Sequence, residues 1–269
     1  SGIGIWDEPG RRKGSRPGSK RTAKTARALL NPQNYALSRY AYRTGTVNPG
    51  EVKLKKTIKT HWYGNHMTEK ERMLAGRLYI AQGEELARES KRAKRLTRQF
   101  NLTSEEELGK RLEILRDLLG SAGNNIYIEP PFRCDYGSHI YIGDNFYANY
   151  DCIIIDVCDV KIGMNVFFGP RVCLYTAGHP LDAEVRNTLL EFGKPITIGD
   201  SVWIGGNTVV NPGVTIGSQV VIGSGSVVTK DIPAGVIAVG NPCRVLREIN
   251  DADRAYWQKL QLEYHAELM

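Results

Sequence analysis

The stretch ITIGDSVWIGGNTVVNPGVTIGSQVVIGSGSVV, residues 196–228, decides the fold. Counting in sixes from Ile198 gives Ile198, Ile204, Val210, Ile216, Ile222 and Val228, followed in turn by Gly199, Gly205, Asn211, Gly217, Gly223 and Thr229. A second register two residues earlier reads Ile196, Val202, Thr208, Val214, Val220 and Ser226. A period of six matches neither the helix nor a lone alternating strand. It describes a chain that turns a corner every six residues, with a branched aliphatic side chain inward and glycine or asparagine easing the backbone near the corner. Three such faces close a triangular coil, and stacked coils bury an aliphatic column that no single repeat could bury alone.

Upstream, VKIGMNVFFGPRV at 160–172 keeps Ile162 and Phe168 in sixfold register, with Gly163 and Gly169 following. Before it, the segment from Ile140 to Ile155 is extended in character, but the step from Ile154 to Ile162 is eight residues, which marks an irregular turn. The major break is TAGHPLDAEVRNTLLEFGKP, 176–195, too polar and aperiodic for a coil although repeats surround it. A loop of that length without its own core is more often functional than decorative.

The flanks divide accordingly: a basic extension at 1–66, a helical cap at 67–122, the β-helix at 123–248 and a C-terminal helical segment at 249–269. In the cap, Met73, Leu74 and Leu78 stand at helical spacing and a charged helix face follows. Thr103 and Glu106 can form a capping box ahead of the stripe Leu108, Leu112, Leu115 and Leu119. The cap is expected to cover the open end of the coil, and the last segment to pack Tyr256, Trp257 and Leu260.

The 269 residues carry a formal charge of +7, which invites a nucleic-acid reading. The charge is uneven, however: residues 1–62 hold 14 Lys or Arg against three Asp or Glu, a balance of +11, so the rest carries −4. The basic arm could meet nucleic acid or an anionic membrane, while the main domain is mildly acidic. With no long apolar segment, cytoplasmic residence is the default expectation. The five cysteines lack paired spacing, so no metal site is expected.

Of the five histidines only His179 lies in the inserted loop, where a neutral imidazole could take the proton of a hydroxyl nucleophile. Asp135, Asn149, Asp156 and Glu191 are candidates for contacts to an acceptor or for orienting His179. Asp156, beside an aliphatic run, reads equally as a turn cap within the coil. Trp203 could shield a bound group or simply pack. The sequence has no GxSxG elbow, HExxH motif or GxxxxGK[ST] loop.

Taken together, AGRLY at 75–79, EPPFRCDYGSHIYIG at 129–143, NFYANYDC at 145–152, TAGHP at 176–180, NPGVTIG at 211–217 and GSVVTKDIPAGVIAVGNPCRV at 225–245 resemble the maltose, galactoside and nodulation-type sugar O-acetyltransferases of the hexapeptide-repeat superfamily. The resemblance implies a left-handed parallel β-helix, a homotrimer with sites between subunits, acetyl-CoA as donor, a small sugar as acceptor and His179 as general base. It implies acceptor contacts for Asp135 and Asn149, and coenzyme contacts for Trp203, Gly205, Gly206, Ser224, Thr229, Lys230, Arg244 and Arg247. A backbone amide near Gly205 or Gly206 would face the developing oxyanion. Ala81, Val157 and Glu191 depart from the galactoside pattern, and the whole looks closer to the maltose type. Two other readings stay open: an N-acetyltransferase for an amino sugar, and a catalytically silent trimeric scaffold whose arm binds nucleic acid or membrane.

Overall fold

The computed structural model describes residues 67–268; the basic stretch 1–66 lies outside them. The six-residue step produces short strands that stack into three parallel sheets, a β-solenoid. The first face is built from Ser121–Ala122, Ile140–Ile142, Val160–Ile162, Ile196–Ile198 and Thr215–Ile216. The second takes Tyr127–Ile128, Tyr147–Ala148, Phe167–Phe168, Trp203–Ile204, Val221–Ile222 and Val236–Val239, closed by the antiparallel strand Arg244–Glu248. The third holds Arg133–Cys134, Ile153–Ile155, Cys173–Tyr175, Val209–Val210 and Val227–Val228.

Both registers point inward. Ile198, Ile204, Val210, Ile216, Ile222 and Val228 are buried, as are Ile196, Val202, Val214 and Val220. Thr208 and Ser226 enter the same column because each hydroxyl has a backbone acceptor, the carbonyls of Gly205 at 2.7 Å and Gly223 at 2.5 Å. The corners divide their labour between residue types. Asn125, Asn145 and Asn165 take the left-handed turn, with φ of 53°, 58° and 57°, and their amides form a ladder at 3.1 and 3.0 Å. Gly205 serves close approach instead: a Cβ there would lie 2.6 Å from the Ser224 amide nitrogen of the next coil.

Helix α1 (Glu69–Leu74) opens on a Thr68–Glu71 capping box. It stops at Leu74, short of the expected run through Leu78, because Gly76 turns the backbone to φ 66° and the strand Tyr79–Ile80 follows. Helices α2 (Glu84–Asn101) and α3 (Leu108–Leu118) cross the end of the solenoid, where Ala93, Leu96, Phe100, Leu115, Leu118 and Leu119 merge with its core. The expected Thr103–Glu106 box does not form. Thr103 closes α2 by donating to the Phe100 carbonyl at 2.7 Å, while Glu107 accepts from the Ser104 amide at 2.8 Å.

The insertion at 176–195 has more order than its sequence suggested. Ala177–Gly178 and Leu190–Gly193 form an antiparallel hairpin, with α4 (Ala183–Arg186) at its tip, and Tyr79–Ile80 adds a third strand. The last helix, α5 (Asp251–Glu267), also departs from expectation: it buries none of its residues, and Tyr256 and Trp257 are exposed. Among the described residues their apolar stripe finds no surface to pack on.

Candidate active site

One corner of the solenoid, between the third and first faces, gathers every irregularity of the repeat. In two successive coils the inward residues step by eight instead of six there, from Cys134 to Ile142 and from Ile154 to Ile162. In the next coil the hairpin leaves from the same corner, yet Val160–Ile162 still pairs directly with Ile196–Ile198. The insertions therefore stack above one another without breaking the sheet.

Asp156 holds the first two together. Its Oδ1 accepts from the amides of Asp135 and Tyr136, each at 3.0 Å, and His139 donates through Nδ1 to the Asp156 carbonyl at 2.7 Å. Asp156 is fully buried, so it stands behind the wall that presents Asp135; the turn-cap reading describes its geometry. Burial pushes its carboxyl up to about 6 against the pull of those amides and of His139. Thr176 roots the hairpin by donating its hydroxyl to the Ile155 carbonyl at 2.7 Å and accepting from the Cys158 amide at 3.0 Å. A small second core of Met73, Tyr79, Leu86, Tyr136 and Val157 then ties the cap to this corner.

On that base the hairpin register pairs Ala177 with Gly193 and Gly178 with Phe192, so His179 follows opposite Glu191. Glu191 in turn pairs with Tyr79 of the cap strand. The Glu191 carboxyl is raised by burial; the field of Asp135 adds to this, while His179 and Tyr79 oppose it. Asp135 is likewise raised by burial, with Lys94 opposing. Tyr79 hydroxyl is buried beside Glu191 without reaching hydrogen-bond geometry. His179 is exposed and makes no hydrogen bond to another described residue. Arg186 fixes the turn beyond it by donating to the carbonyls of Pro180 at 2.9 Å and Leu181 at 3.1 Å. Here is a nitrogen base beside carboxylates able to accept from sugar hydroxyls.

The remaining candidates lie elsewhere. Asn149, Gly205, Gly206 and Ser224 stack along the corner between the second and third faces. There the Gly205 amide is engaged by the Ile222 carbonyl at 2.8 Å, whereas the Gly206 amide bonds to no described group. Trp203 points outward on the second face and is 55% exposed. Thr229 and Lys230 occupy the same corner as the hairpin, farther along the axis. Arg244 and Arg247 lie on the final strand, and Arg247 directs its fork at Asp253, with bonds of 2.6 and 2.8 Å.

Residues 72–123 match the model of the maltose acetyltransferase hexapeptide capping motif, and residues 195–230 that of the bacterial transferase hexapeptide with six repeats. A putative acetyltransferase of Saccharomyces cerevisiae is 50% identical over 68% of this chain and 94% of its own. The crystal structure of a maltose O-acetyltransferase from Clostridium difficile 630 is 56% identical, with a TM-score of 0.69 over 70% of this chain and all of that one. The chain belongs to the hexapeptide-repeat acyltransferase superfamily, in its maltose and galactoside branch. A galactoside acetyltransferase in complex with coenzyme A is 46% identical, with a TM-score of 0.69 over 70% of this chain and 94% of that one. In this hexapeptide-repeat acyltransferase no metal-holding cluster of His, Cys, Asp or Glu occurs among the described residues.

Sequence reasoning brought His179, Glu191 and Asp135 to one place and missed Tyr79, Tyr136 and His139 as their supports. Tyr79 ends the AGRLY stretch, but its place in the site comes from pairing with a strand more than 100 residues later.

Proposed function

We propose that this protein transfers the acetyl group of acetyl-CoA directly to a hydroxyl of a sugar such as maltose or glucose, with His179 as general base, in a homotrimer whose sites lie between subunits. One observation carries the reading: His179, Asp135 and Glu191 occupy one edge of the triangular solenoid, while Asn149, also an acceptor candidate, lies with Gly206 on another. The breadth of the third face separates them, so one chain holds two half-sites. Packing three copies edge to edge would join His179 of one subunit to the Asn149 edge of the next. The relatives described as maltose and galactoside acetyltransferases, one of them holding coenzyme A, support the same donor and acceptor class.

In this mechanism Asp135 and Glu191 accept hydrogen bonds from the sugar and hold one hydroxyl at His179. The imidazole removes the hydroxyl proton as the oxygen attacks the thioester carbonyl, and the free Gly206 amide faces the developing oxyanion. Collapse forms the ester, breaks the carbon–sulfur bond and returns the proton to the leaving thiolate. The test is thiol release from acetyl-CoA with maltose, glucose, galactosides and amino sugars. Acceptor-dependent release is expected, and His179→Ala should lower it by about 10²–10⁴-fold. Undiminished release in His179→Ala would overturn the general-base assignment; activity confined to amino sugars would replace the hydroxyl acceptor with an amine.

A further inference from the structure

A cavity of about 930 Å³ opens beside the candidate acceptor pocket, and its wall is made largely by the outer face of α2. Arg88, Lys91, Arg92, Lys94, Arg95 and Arg98 line it, together with Asp135 and Tyr136. The helix also carries acids: Glu85 and Glu89 both pair with Lys70, and Glu84 stands in its first turn. Arg92 is tied to α3 through the Asp117 carbonyl. The other five cations of the wall have no ion pair or side-chain hydrogen bond among the described residues. A merely solvated helix face would have no connection to the site. Here six cations of one helix line a single space of ligand size, and Asp135 belongs to the same wall.

We infer that this basic cavity is a subsite for an acceptor carrying an anionic group, so that the preferred substrate is a phosphorylated or carboxylated sugar. The inference rests on the proposed acetyl transfer for its orientation: the sugar hydroxyls meet Asp135 and Glu191, and the phosphate or carboxylate extends over α2, away from those carboxylates. Guanidinium and ammonium groups recognise both anions through charge-assisted hydrogen bonds.

Glucose, glucose 6-phosphate and glucuronate, each with acetyl-CoA, test it in the full chain and in a Lys91→Gln/Arg95→Gln/Arg98→Gln variant. All three positions are exposed, so the variant is expected to fold normally, which circular dichroism checks. In the parent protein KM for the two charged sugars should be about tenfold below that for glucose at low salt, with the advantage shrinking as salt is added. The variant should lose the advantage while its kinetics with glucose stay unchanged. Equal KM values in the parent protein, or an advantage that survives in the variant, would overturn the subsite. Calorimetric titration with glucose 6-phosphate gives a readout independent of catalysis. If no sugar is acetylated, binding to the parent that is lost in the variant supports the subsite alone, and equal or absent binding overturns it. Inorganic phosphate binding as tightly as glucose 6-phosphate would also overturn it, because the cavity would then hold an anion and not a sugar.

Discussion

At the scale of single residues, Asp156 separates a structural role from a chemical one. One carboxylate oxygen serves two amides of the coil below; the other, Oδ2, is buried with no hydrogen-bond partner, 4.0 Å from His139 Nδ1. Its carboxyl titrates at about 6 in the folded chain against an ordinary value of 3.8. The folded state therefore holds the proton more tightly than the unfolded one between those values. Stability from this group is fully present below about pH 4, falls as pH rises towards 6, and is constant above. The shift corresponds to about 3 kcal/mol, at roughly 1.4 kcal/mol per unit. Asp156→Asn keeps an oxygen for the two amides and cannot ionise. In urea denaturation from pH 4 to 7 the variant should gain on the parent protein by an amount of that order. Asp135 and Glu191 are also raised by burial and tilt both curves in the same direction, and the field of Asp135 acts on Asp156, so the difference reports Asp156 together with that coupling. A constant difference across the range would show that Asp156 is ionised throughout.

At the scale of elements, what could be read in the sequence was what repeats. Ile198, Ile204 and Val210 announce the coil because each faces the same axis at the same interval, and the two-residue excess between Ile154 and Ile162 marked an irregular turn, which lies at the hairpin corner. His179 was legible for a related reason, since the loop that holds it interrupts a strict period. The three-stranded sheet of Tyr79–Ile80, Leu190–Gly193 and Ala177–Gly178 was not legible: its strands are short and distant in sequence, and what holds them is pairing. The stripe of α5, uncovered among the described residues, misled because amphipathic spacing tells which face is apolar without telling what covers it. Gly193 shows how tightly the hairpin is seated. A Cβ there would lie 2.5 Å from Cys158 Sγ and 2.9 Å from Val157 Cγ2. Gly193→Ala is expected to cost about 1–3 kcal/mol in urea denaturation and, because the strand carrying Glu191 must lift, to raise KM for the acceptor. Gly109→Ala in α3, where the space is open, should instead stabilise by about 1 kcal/mol with no kinetic change. Equal effects from the two would mean that the hairpin is not packed as described.

At the scale of the whole molecule, the triangular section explains why one fold carries two incomplete edges. A solenoid with three faces has three corners; here the hairpin corner carries His179, Asp135 and Glu191, and a second corner carries Asn149 and the Gly206 amide. Neither can reach the other without unwinding the coil, whereas a threefold assembly brings unlike edges together at each interface. This arrangement makes a definite demand on mixtures. His179→Ala and Asn149→Ala should each be nearly inactive as pure proteins. When they are denatured together at equal concentration and refolded, every mixed trimer should contain one interface with an intact histidine facing an intact asparagine. Random assembly then returns about a quarter of the parent activity, because each shared site draws an intact histidine and an intact asparagine independently, each with a chance of about one half. Activity that stays at the level of the pure variants after mixing, with trimers confirmed by light scattering, would place both residues in a site belonging to one subunit. Sedimentation of the parent protein as a monomer that still acetylates sugars would do the same.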